Sequence, residues 1–195
     1  MRALLAFPPR GGFHLRSSGA LRTLRRGGRP FCCHQMKWLL AVSLPFFVID
    51  QITKELVLRY VPLDVTIPVI PGFFNIIQAH NTGAAFSMFR DNNYFFVGLA
   101  STALLVLVFL FWKGKFAYLT TKWAGALLVA GIAGNLIDRL RHGFVVDFLD
   151  VILPWYGHWP TFNVADSCIC VAAGLFVIAS FREERAQKKA KAEAK

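Results

Sequence analysis

Residues 94–112 read YFFVGLASTALLVLVFLFW, nineteen positions without one charged side chain. About 20 apolar residues in helical form match the hydrocarbon thickness of a bilayer. A helix is also the one open segment that satisfies all its own backbone polar groups in lipid. Working outward, the chain holds three more apolar blocks of similar length. They are 38–57, interrupted by Asp50 and Lys54; 123–140, polar only at its C-terminal end; and 162–181, with Asp166 near its start. Of the 195 residues, 55% are hydrophobic and nineteen are Phe, which fits lipid as solvent and not one soluble core. The expected fold is an all-α membrane protein of four transmembrane helices, occupying 36–181 as one domain.

The net charge of +11 does not make a nucleic-acid footprint, which needs its cations on one folded face. Seventeen of the twenty-two Lys and Arg lie in 1–37, 113–122 and 182–195, the pattern of flanks beside an anionic leaflet. By the positive-inside rule both termini are expected in the cytoplasm. The polar ends of the first, third and fourth spans then converge at the opposite face. Residues 1–35 hold seven Arg, no Lys and no acid. That composition resembles an organellar transit peptide; a disordered cytoplasmic extension, or a true start at Met36, is favoured over it. Residues 182–195 read as a charged cytoplasmic tail, helical or frayed.

The two outer loops are not polar linkers. Residues 61–78, VPLDVTIPVIPGFFNIIQ, have a proline spacing that excludes a helix. They read as extended strands, a small β-like cradle resting on the membrane outside the cytoplasm. The loop at 141–161 carries Trp155, Tyr156 and Trp159, side chains at home at headgroup level. The four cysteines form no framework. Cys168 and Cys170, two apart on a helix, point to different faces and read as small packing residues.

Carboxylates inside spans are costly and so mark function by default. Asp50, Asp138 and Asp166 lie in or at the ends of spans, and Asp147 follows the third within Phe144-Val145-Val146-Asp147-Phe148. Asn135 and Asp138, and Asn163 and Asp166, are i,i+3 pairs that share a helix face. Asp50 with Lys54, and Asp138 with Arg139, are equally readable as ion pairs pinning helix ends. Gly131 and Gly134 would let another backbone approach closely. Asp147 and Asp166 have no cation nearby in sequence. Facing each other in a dry pocket, they would share a proton.

Five segments then resemble one family. They are 50–54, DQITK; 81–86, NTGAAF; 134–139, GNLIDR, with 145–148, VVDF; and 162–166, FNVAD. Together they are similar to the signature blocks of lipoprotein signal peptidase, or signal peptidase II, over about 36–181. The resemblance implies an aspartic endopeptidase of the bacterial inner membrane. Such an enzyme removes the signal peptide of a prolipoprotein just before its diacylglyceryl-modified cysteine. It implies Asp147 and Asp166 as the catalytic pair, with Asp50, Lys54, Asn81, Gly83, Gly131, Asn135, Asp138, Arg139 and Asn163 lining or supporting the substrate pocket. No cofactor and no metal are implied. The expected partners are lipid-modified prolipoproteins and membrane lipid, with no nucleic acid and a monomer as the default state. The departures are Ala130, where many relatives have glycine, and residues 1–35, which have no counterpart.

Other classes fit less well. A proton-coupled transporter would hold its acid near mid-membrane, whereas these acids gather at one end. A metalloprotease would need a pattern such as His-Glu-x-x-His, and the histidines at 14, 34, 80, 142 and 158 are not so spaced. His80 reads as an interfacial loop residue. A structural subunit would not need four such blocks.

Overall fold

A computed structural model describes residues 31–83 and 92–193. The Arg-rich segment up to residue 30, the 84–86 part of the NTGAAF block and the last two residues of the tail lie outside the described residues, as do the side chains of Cys32 and Cys33. Among the described residues four helices, α1 (Phe31–Tyr60), α2 (Asn93–Trp112), α3 (Leu119–His142) and α4 (Val164–Glu193), are joined by two pairs of strands, one between α1 and α2 and one between α3 and α4. The strands are β1 (Ile67–Ile70), β2 (Phe74–Asn81), β3 (Val145–Leu153) and β4 (Gly157–His158). All four helices are long and apolar enough to cross a membrane. Each runs past the block read from sequence, because helical geometry continues through polar flanks that hydropathy excludes.

The bundle is organised around α3, which packs against each of the other helices. Its buried residues are mostly small: Ala124, Gly125, Ala126, Ala130, Gly131 and Gly134. Small side chains let helices meet closely where lipid offers no hydrophobic driving force. A Cβ on Gly131 would collide with the Ala165 carbonyl and the Ile169 side chain, and one on Gly134 with the Asp50 carboxylate. In contrast, only Leu107 and Phe111 of α2 are buried, leaving the rest of that helix for lipid.

The strands form one antiparallel sheet in the order β1-β2-β3-β4. The 61–78 stretch is extended as expected, but its partner β3 had been read only as part of an aromatic loop. Helix α3 stops at Gly143, whose φ of +81° is a left-handed cap that lets the chain reverse at once into β3. Buried on both faces, β3 lacks the alternation that would have revealed it. Val146 and Phe148 join Val57 and Val61 of the α1 end in one apolar cluster, while Asp147 lies within the same buried run. Asp150 ties the rest of the sheet, accepting from Asn75 at 2.7 Å and meeting His158 at 2.8 Å.

At the C-terminal end the structure takes the helical alternative, and at the N-terminal end the expectation needs adjustment. The tail is helical, since α4 continues to Glu193 with exposed i,i+4 pairs such as Glu184–Lys188. Helix α1 begins at Phe31, inside the segment assigned to the disordered extension. There Gln35, only 1% exposed, donates from Nε2 to the Phe116 carbonyl at 2.9 Å. The folded chain therefore reaches back at least to Gln35. A chain started at Met36 loses this buried bond, which contributes about 1 kcal/mol. Its melting temperature in detergent is expected to fall by a few degrees, while a chain started at Phe31 melts like the full-length protein. Equal melting of both truncated chains would remove Gln35 from the fold.

Candidate active site

The site grows from one buried cation. Lys54, 2% exposed on α1, sends its Nζ to Asp50 Oδ2, Asp138 Oδ2 and Asn135 Oδ1, each at 2.9 Å. An ammonium has three donors, and all three are used. Asp138 is thus paired with Lys54 and not with its neighbour Arg139. Asp50 Oδ1 accepts the free N–H of Ala165 in the first turn of α4 at 2.8 Å, serving a donor that the helix leaves unsatisfied. Asp138 Oδ2 also accepts the Val146 N–H at 3.1 Å. This fixes the backbone of β3 one residue before Asp147.

Gln51 completes the cluster, and sequence reasoning missed its role although it lies within the DQITK block. Its Nε2 donates to Asp138 Oδ1 at 3.1 Å and to Asp50 Oδ2 and the Gly134 carbonyl at 3.2 Å.

Asn163 joins β3 to α4. Before it, Phe162 pairs with Leu149 of β3. Asn163 then caps α4: its Oδ1 accepts the Asp166 N–H at 2.9 Å, and Asp166 Oδ2 accepts the Asn163 N–H at 3.2 Å. This reciprocal pair is a capping box with Asp in the place of the usual Glu. The signal was present in FNVAD, an Asn and an Asp three apart before an apolar run. The Asn163 Nδ2 meanwhile donates to Asp147 Oδ1 at 2.8 Å and to Asn135 Oδ1 at 3.2 Å. One fully buried asparagine therefore touches both carboxylates.

The remaining oxygens are also held. Asn135 Nδ2 donates to Asp166 Oδ1 at 2.8 Å. The Lys54 bond to the other end of that amide sets its orientation. Asn81 Nδ2 donates to Asp147 Oδ2 at 2.9 Å. In the β2–β3 register Ala79 faces Asp147 and Asn81 faces Val145, so Asn81 is the diagonal neighbour on the same face. The Gly83 N–H returns to Asn81 Oδ1, and the Gly83 carbonyl accepts from Arg139 Nη2 at 2.7 Å. Arg139 also lies 4.4 Å from the centre of the Phe96 ring, and its Nη1 is buried without a partner among the described residues. Gly131 lies deeper, at the α3–α4 contact. His80 stacks on Phe144 at the surface and is not part of this network.

Burial and the neighbouring Asp166 carboxylate push the Asp147 pKa up to about 7, so Asp147 is partly protonated near neutrality. A cavity of about 350 Å³ opens at Asp166, lined also by Asn81, Asn135, Arg139 and Trp159, and by Ile169 and Cys170 along α4; Asn81 links it to Asp147. Among the described residues no His, Cys, Asp and Glu cluster is arranged to hold a metal ion.

Comparison with known proteins places the chain among relatives along most of its length. The family model described as signal peptidase (SPase) II matches residues 42–182. The lipoprotein signal peptidase of Geobacter sulfurreducens is 47% identical over 148 residues, 74% of this chain and 92% of the relative. That of Syntrophotalea carbinolica is 40% identical over 153 residues, 76% of this chain and 94% of the relative. A bacterial membrane enzyme solved in meso at 2.3 Å resolution is 32% identical, with a TM-score of 0.71 over 76% of this chain and 90% of that one.

The raised Asp147 value carries a stability consequence. Between about pH 4 and about 7 the native state keeps a proton that the unfolded chain has lost. Stability from this group is therefore full below its unfolded value and declines as pH rises through the window. Asp147→Asn removes the titration. The melting temperature of the variant relative to the parent is expected to climb from about pH 4 to about pH 7 and then level. A difference that stays flat with pH would contradict the raised value.

Proposed function

The chain belongs to the signal peptidase II family, a family of membrane proteases, and on that footing we propose that it is an aspartic endopeptidase acting on prolipoproteins. It cuts before the diacylglyceryl-modified cysteine, with Asp147 and Asp166 as the catalytic pair. The observation that carries this reading is the shared grip of Asn163 on both carboxylates, which fixes one relative to the other.

In the proposed reaction one carboxyl is charged and the other protonated. The charged one takes a proton from a water held between them, and the hydroxide attacks the scissile carbonyl. The protonated one donates to the carbonyl oxygen, so a neutral tetrahedral diol forms. Collapse breaks the C–N bond, the leaving nitrogen takes up a proton, and the signal peptide departs as a new carboxylic acid. The lipidated cysteine keeps a free amine. Arg139, whose Nη1 has no partner among the described residues, is the group proposed to bind a substrate carbonyl. The Ile169–Cys170 side of the cavity suits acyl chains. Following the distribution of Lys and Arg, the termini are cytoplasmic and the pair works near the outer face of the inner membrane.

Asp147→Asn and Asp166→Asn keep size but remove the base or the shared proton. Each is expected to lower cleavage of a diacylglyceryl prolipoprotein by roughly a thousandfold or more, with the double variant no worse than either. Helicity should be retained, and cleavage by the parent should survive a chelator. Partial losses that multiply in the double variant would mean two independent groups.

Asn81 donates from Nδ2 to Asp147 and so fixes the position of that carboxylate. Asn81→Ala is accordingly expected to lower turnover at saturating substrate by about 10–100-fold. Polar replacement of Phe73 and Phe74 on the sheet should mainly raise KM. Unchanged kinetics in all three would leave the sheet as a membrane anchor.

A further inference from the structure

A second cavity, of about 380 Å³, opens between α1 and α3 and shares no lining residue with the one at Asp166. Its inner wall is the Lys54–Asp138 pair, already neutralised within the buried cluster. Beside it stands Gln51, whose Nε2 is fully engaged while its Oε1 accepts no hydrogen bond among the described residues. At the mouth stand two groups of opposite sign on different helices, Glu55 on α1 and Arg141 on α3. Arg141 is exposed and has no acidic partner among the described residues. Glu55 meets only Arg59, loosely, at 3.8 Å with both side chains mostly exposed.

The lower side of the cavity is apolar, and it continues down α1. Leu56 and Ile52 line it, and Val48 and Leu44 extend the same row at i,i+4 spacing. All four are large and exposed, at 49%, 53%, 41% and 56%. A row at this spacing forms a continuous ridge along the helix. An apolar ridge rising to a cation and an anion that are not paired with each other matches one kind of molecule. Its acyl chain would lie on the ridge, its phosphate on Arg141 and its ammonium on Glu55.

We propose that the α1–α3 cavity binds a zwitterionic phospholipid carrying a primary ammonium, with Arg141 on its phosphate and Glu55 on its ammonium. The site is independent of the reaction at Asp147 and Asp166, so the proposal stands or falls without the peptidase reading. It uses neither carboxylate of that pair.

The test uses the purified full chain, stripped of lipid in detergent, with phosphatidylethanolamine, phosphatidylglycerol, inorganic phosphate and glycerophosphoethanolamine as separate probes. Native mass spectrometry counts bound lipid and gives relative affinity. The parent is expected to retain about one phosphatidylethanolamine in preference to phosphatidylglycerol. Arg141→Gln should weaken both lipids about tenfold or more, and Arg141→Lys should restore most of the loss. Glu55→Gln should weaken phosphatidylethanolamine alone and so abolish the preference. Circular dichroism on each variant separates lost binding from lost fold. Three results would overturn the proposal: equal retention by parent and variants, equal affinity for the two lipids in the parent, or displacement of the lipid by inorganic phosphate or the free headgroup at comparable concentration.

Discussion

The Lys54 ammonium, buried with three bonds to Asp50, Asp138 and Asn135, is the constraint on which the rest of the site depends. Each bond passes position to something else. Through Asp50 it reaches the first turn of α4. Through Asp138 it reaches the backbone of β3. Through Asn135 it reaches Asp166. Removing one member of such a buried set leaves an uncompensated charge, a loss on the order of 3–5 kcal/mol. The cluster is therefore as much a device for geometry as for stability: it aligns α1, α3, β3 and α4 at one level.

Asn163 plays the complementary part for the two carboxylates. As the cap of α4 it places Asp166 in the first turn, where the helix dipole favours negative charge. Its amide nitrogen also crosses to β3 and holds Asp147. The pair thus joins a helix end and a strand, two rigid elements. A site built on such elements holds its geometry better than one on loops. Burial keeps Asp147 partly protonated near neutrality, the state that acid–base work at two carboxylates needs. The fold supplies both conditions through the same few contacts.

Lipid as solvent explains the shape around this core. Apolar side chains that would be liabilities in water cover α2 and the outer faces of α1 and α4, while the polar residues turn inward to one end of the bundle. Gly131 and Gly134 set how closely α3 meets α4 and the Asp50 carboxylate. The α1–α3 cavity continues the same logic, because a charged mouth above an apolar ridge is itself suited to the boundary between lipid and water.

The four helices were legible from the sequence because lipid imposes a length and an apolarity that any window can read, as in 94–112. The polar residues inside those windows stood out for the same reason, since burial of charge in lipid calls for an explanation. Resemblance to a family then supplied the pairing of Asp147 with Asp166, which spacing alone left open. What the sequence could not show was which groups meet across long separations. Lys54 and Asn135 are 81 positions apart, and Asp50 and Ala165 are 115 apart. Local pattern carries no information about such contacts. Strand β3 was hidden because its two buried faces erase the period of two, and Gln35 because a polar residue in a helix shows its burial only when Phe116 arrives beside it. Composition and period set the solvent, the elements and the cast of polar residues. Tertiary packing alone decided which donor faces which oxygen, because hydrogen bonds and ion pairs depend on ångström distances between segments that only folding brings together.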